Sequence, residues 1–195
     1  MDISELSLWQ LTNARMVYDA AKPFGRDAVM GALMTSGDEA SWLRYANNGK
    51  TTRSDVPQRW RNLASLSMQF PHDAEAGEAW TTADSVGMFQ QRLMFGYSSP
   101  DLNGVADLMD PATSTIIFLK GSSFGKTKAF MDSPVDLTLA QRCQWTQGSE
   151  FPDGVAYEPF EAVAAQLIDR FGGIVPPKPK QEFDILSWLS DPNHI

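Results

Sequence analysis

Cysteine and histidine are nearly absent: the 195-residue chain has one Cys and two His. With Cys143 alone, no disulfide can close within the chain, which excludes a disulfide scaffold. A zinc site needs about four closely spaced nitrogen, sulfur or carboxylate ligands. His72 and His194 lie far apart and Cys143 has no cysteine partner, so no metal and no cofactor is expected. A nucleophile-elbow pattern for Ser-His-Asp hydrolysis is missing too. Apolar runs are short, none near the roughly 20 residues that span a bilayer, so membrane insertion is not expected. Positive charge is scarce: 16 Lys and Arg stand against 24 Asp and Glu, a net charge of -8. That balance, without a basic patch interleaved with aromatics, argues against nucleic acid as a partner. Met1 to Glu5 carries acids where a signal peptide has bases, so synthesis in the cytoplasm without one is expected.

What remains is an ordinary globular composition, 43% hydrophobic and 21% charged. The length suits one domain that buries about 70% of its unfolded surface. Residues 1–173 read as that domain, mainly helical with a small irregular β and loop region. Helices are predicted over 4–21 with Ser4 as cap, and over 27–47 with Asp27 as cap and Asn47-Asn48-Gly49 as stop. Gly37 falls inside the second, where it implies close packing or a bend. Arg61 to Phe70 fits a strand or a helix. Pro100-Asp101 and Asn103-Gly104 mark turns. Asp110-Pro111 starts a helix with Asp as cap and Pro in the first turn. Ser133-Pro134 starts another, with Val135, Leu137 and Cys143 as core candidates, and the last covers 158–171. Residues 174–195 begin with a stiff proline-rich linker and end in an apolar stub, Phe183 to Leu189. The stub is expected to dock on this domain, or to engage a further domain or a virion partner through residues 181–190.

Two places carry chemistry. Glu39 follows an apolar stretch and precedes Trp42 by three residues, so both fall on one side of a helix. Most glutamates late in a helix are solvated. Desolvation against an indole instead favours the neutral acid, by about 1.4 kcal/mol per pKa unit. The second place is Asp84-Ser85-Val86-Gly87-Met88-Phe89-Gln90-Gln91-Arg92, which alternates like a strand. Gly87 would let backbone approach a ligand closely. Consecutive glutamines suit a groove for a hydroxyl- and amide-rich chain such as a glycan. Asp84 is the one carboxylate in the motif, able to activate a water or to cap a turn. Trp80, Phe95 and Tyr97 are candidates to stack on sugar rings. His72 is expected to order a loop.

These residues carry a resemblance. Ala32 to Asn48 around Glu39, Phe70-Pro71-His72-Asp73, Asp84 to Arg92, Met109-Asp110-Pro111-Ala112 and Phe151-Pro152-Asp153 occur in the order found in lysozyme-like, transglycosylase-type muralytic domains. Such domains belong to endolysins of actinobacteriophages, mycobacteriophages among them, and to actinobacterial cell-wall hydrolases. The resemblance covers roughly residues 25 to 170. It implies a lysozyme-like fold with the β and loop region lining a cleft, and peptidoglycan glycan strands as substrate, cut at the bacterial cell wall. Glu39 inherits the general acid role, and Ser85, Gln90 and Gln91 the floor of the glycan site; Asp84 is a second catalytic candidate, with an ordering role beside Ser85 preferred, and Tyr97 and Trp42 are further candidates to contact the glycan. Three positions depart from the pattern: Ala40 where the family has Ser, Met88 for Leu, and Gly96-Tyr97 where it has Trp-Gly. Alternatives are a lytic transglycosylase giving anhydro products, and a virion component that keeps the fold with weak or no activity.

Overall fold

A computed structural model describes residues 2–51, 53–76, 83–126, 128–148 and 153–172. Trp80, the Phe151-Pro152 pair, His194, the linker, the apolar stub and any partner contact through 181–190 lie outside the described residues. The described chain is mainly helical with a small β region.

Helix α1, Leu8–Ala21, starts from a reciprocal cap between Ser7 and Gln10. The expected cap Ser4 belongs to a preceding short turn, Ile3–Glu5, that Asp2 caps. Helix α2, Arg26–Ala40, begins at Gly25 without a side-chain cap. Asp27 turns outward to the Arg142 guanidinium at 3.1 Å. Nearly every residue of α2 from Ala28 to Gly37 is buried, so the helix runs through the middle of the molecule rather than along its surface. It is wrapped by α1, α5 (Pro111–Lys120), α6 (Leu139–Gln147) and α7 (Glu161–Arg170). Val29, Leu33, Met34, Phe118, Phe130 and Leu167 are among the buried side chains of this larger core.

Gly37 serves close packing. A Cβ there would come within 2.6 Å of both Phe160 and Trp42, and the helix continues unbroken past it to Ala40. The expected extension to Asn47 does not form. Ser41 and Trp42 take left-handed backbone, φ 49° and 57°, and their N–H groups bond back to Gly37 and Ser36. Tyr45–Asn47 then becomes strand β1, parallel to β2, Ala74–Ala76.

A smaller core collects Ala46, Ala64, Val86, Leu93, Val105 and Leu108. Helix α3, Gln58–Ser65, continues as a tighter turn over Leu66–Gln69, which settles the ambiguous stretch as helical. Helix α4, Leu102–Met109, contains the Asn103-Gly104 pair expected to be a turn, because Asp101 caps it through the Gly104 N–H at 3.0 Å. Helix α5 starts at Asp110-Pro111 as the sequence predicts. Helix α6 starts later than predicted, at Leu139 with Thr138 and Gln141 capping each other. Val135, expected in the core, is 90% exposed. Ser133 is instead tied to the Phe130 carbonyl and to Arg142.

The nine-residue motif is a hairpin rather than one strand: β3, Ser85–Val86, pairs antiparallel with β4, Gln91–Arg92. It joins the two cores. Met88 and Phe89 enter the larger one, Val86 and Leu93 the smaller. Gly87, at φ +74°, lies where a Cβ would sit 2.0 Å from the Leu108 carbonyl, so its missing side chain admits α4 and not a ligand.

Candidate active site

Glu39 is the penultimate residue of α2, just before the left-handed turn. That turn is held from three sides. Gln10 Nε2 donates to the Ser41 carbonyl at 2.9 Å, Asn13 Nδ2 to the Trp42 carbonyl at 2.9 Å, and the Trp42 indole to the Leu33 carbonyl at 3.1 Å. Positive φ at a bulky residue costs of order 1–3 kcal/mol and survives where its surroundings over-determine it. Among the described residues, Ser41, Trp42, Ala83 and Gln90 are the non-glycine residues with positive φ. All four flank Glu39 or the hairpin.

The Glu39 carboxyl is pushed up to about 7, first by burial and then by the charge of Asp38, against the pull of hydrogen bonds from Tyr157 and Gln147. Tyr157, fully buried, donates to Glu39 Oε1 at 3.0 Å. Gln147, the last residue of α6, bonds Glu39 and also donates to the Phe89 carbonyl of the hairpin at 2.7 Å. Tyr97 donates to Gln147 Oε1 at 3.4 Å. Its own hydroxyl is pushed well above the ordinary phenol range by burial and by the Glu39 charge. Lys126 sits over the Tyr97 ring at 4.8 Å and is pushed down to about 8 by burial and Lys128. Asp38, beside Glu39, is pushed up to about 6 by burial. The arrangement can hold a proton on Glu39 near neutral pH and fix where that proton points.

The other expected site residues fall in different places. Asp84 is fully buried, with Oδ1 on Arg92 Nε at 2.8 Å and Oδ2 accepting from the Met94 N–H at 2.6 Å. Both oxygens are engaged across the hairpin, as the ordering role preferred from the sequence requires. Trp42 has no exposed surface and packs edge-on against Phe160, with ring centroids 5.8 Å apart. Tyr97 is 5% exposed, with its hydroxyl directed to Gln147. Gln90, at φ 44°, turns its amide back to the Gly87 carbonyl at 2.9 Å and closes the hairpin turn. Ser85 is 7% exposed in β3. Gln91 is 1% exposed, and its amide has no hydrogen-bond partner among the described residues. Ser36 donates its hydroxyl to the Ala32 carbonyl of its own helix at 2.8 Å.

Asp38, Gln147 and Tyr157 are the residues that sequence reasoning missed. Asp38 was visible as the acid beside Glu39. Gln147 and Tyr157 lie more than 100 positions downstream, and no local pattern links them to it. His72 orders its loop as expected, with Nδ1 on the Phe70 carbonyl at 2.8 Å. Beside it Asp73 grips Arg44 through both oxygens and accepts from Asn13 at 2.7 Å. No group of three or more His, Cys, Asp or Glu side chains able to hold a metal occurs among the described residues. Comparison with models of known protein families and with curated proteins finds no match.

Proposed function

We propose that the protein cleaves the glycan strand of peptidoglycan, with Glu39 protonating the glycosidic oxygen between two amino sugars. The observation that carries this reading is the Glu39 carboxyl, pushed up to about 7 and held by Tyr157 and Gln147 at the end of a buried helix. A general acid works best when its pKa lies near the working pH, and burial of a carboxylic acid is the usual way to place it there. A lysozyme-like arrangement, with the hairpin as one wall beside the acid, is the fold this reading adopts. The mainly helical chain with its small β region is consistent with it. Site of action, in this reading, is the bacterial cell wall.

Sequestration of Asp84 favours a second form of the chemistry. Inverting hydrolysis needs a second carboxylate about 6.5 to 9.5 Å from the acid to activate water. Asp84 has both oxygens engaged and no exposed surface. Attack by the sugar's own 6-hydroxyl, leaving an anhydro end, needs no carboxylate beyond Glu39. Loss of turbidity of a cell-wall suspension, compared for the wild-type chain and Glu39→Gln, tests the reading. Equal clearing by both would defeat it, and absence of clearing by a folded wild-type chain would favour a virion component without activity. Mass analysis of the products then separates a reducing end from an anhydro end, which is lighter by one water.

A further inference from the structure

A concavity bordered by Tyr97 lies between α4, α5 and the loop that follows α5. It has a volume of about 220 Å³ and is lined by Tyr97, Ser98, Asp107, Thr113, Ser122 and Phe124, among others. Drug-sized ligands occupy about 300 to 1,000 Å³, so this space suits one ring. Its chemistry is mixed in a specific way. Phe124 is 55% exposed and offers an apolar face. Hydroxyls come from α5 through Thr113 and from the following loop through Ser122, whose Oγ accepts from the Phe124 N–H at 3.1 Å and keeps its proton free to donate. Asp107, exposed on α4, supplies a strong acceptor at the rim. Ser98, 3% exposed, lines the depression, and its buried hydroxyl has no hydrogen-bond partner among the described residues. Among the described residues, no Lys or Arg lines the space.

An aromatic face, several hydroxyls and one carboxylate match a neutral pyranose ring, which presents an apolar C–H face and a rim of donors and acceptors. Tyr97 joins this space to Glu39, because its ring forms one wall while its hydroxyl reaches Gln147, the partner of Glu39. We propose that the depression between Phe124 and Asp107 is an accessory subsite for one sugar ring of a neutral glycan, separate from the position that Glu39 serves. The choice of an N-acetylated sugar rests on the glycan-cleaving reading above.

Binding is read without turnover. The Glu39→Gln chain is titrated with di-N-acetylchitobiose while backbone amide shifts are followed by NMR. Saturable shifts are expected at Ser98, Asp107, Thr113 and Phe124. Asp107→Ala and Phe124→Ala, both at exposed positions, should each weaken that binding about tenfold with unchanged melting. Absence of shifts at those residues up to the solubility limit of the sugar, or shifts that neither substitution weakens, would overturn the subsite. Shifts at these positions, combined with a folded wild-type chain that clears no cell wall, would uphold the subsite and count against the cleavage reading alone.

Discussion

Glu39 and Asp84 are both acids in suggestive sequence, and their surroundings differ: Glu39 is held by Tyr157 and Gln147, Asp84 by Arg92 and the Met94 N–H. The proton of Glu39 is favoured by burial, so its folded value of about 7 lies above the ordinary 4.5. A group raised in this way contributes fully below about pH 4.5, and its contribution is lost as the pH rises through 7. Glu39→Gln is therefore expected to melt with the wild type at pH 4.5 and to be more stable than it at pH 8, by roughly 1 to 3 kcal/mol. Equal offsets at both pH values in thermal melts would contradict this. The same variant should lose about 10² to 10⁴ in lytic rate, and the wild-type rate should fall as the pH passes 7. Asp84→Asn is expected to act through the fold, because the partly buried Arg92 is left without its countercharge. A loss of about 2 to 4 kcal/mol in denaturant titration is expected. Unchanged stability with a rate loss of 100-fold would restore Asp84 as a general base.

Elements were legible where their signals are local. Asp110-Pro111 starts α5 as the sequence predicts, because capping needs only the side chain and the next N–H groups. The end of α2 was not legible. Nothing within Ala40-Ser41-Trp42 requires left-handed backbone; Gln10 and Asn13 of α1, together with the fit of Trp42 against Gly37, impose it. Ser133-Pro134 misled in the opposite direction, since Ser133 is engaged by Phe130 and Arg142 and the helix waits for Thr138. Gly37→Ala tests the packing at the end of α2. Its Cβ would push on Phe160 and Trp42, and a loss of about 1 to 3 kcal/mol is expected in chemical denaturation. A neutral or stabilising result would mean that the two rings move aside at little cost.

At the scale of the molecule, the hairpin couples the two cores. Phe89 is fully buried and stacks on Phe118 at 5.1 Å, while Val86 on the other side belongs to the smaller core. Phe89→Ala is expected to cost about 3 to 5 kcal/mol and to leave one cooperative transition. Separate transitions by near- and far-ultraviolet circular dichroism would show two independent units. The described cores draw on residues from Leu6 to Phe171, so a chain ending at residue 173 is expected to keep its cooperative melt. Loss of that transition would place part of the tail in the core.

By itself the sequence determined the helical character, the exclusion of a disulfide scaffold, and Glu39 as the acid to watch, because composition, capping and apolar spacing act over a few residues. Tertiary structure alone decided how each carboxylate is engaged. Asp84 disappears into Arg92 and Met94 because the chain reverses at Gly87 to Gln90. Tyr157 and Gln147 reach Glu39 because α6 and the turn before α7 pack against the end of α2. Proton affinity depends on what lies within a few ångströms, and residues that far apart in sequence are brought to that distance only by the packed core.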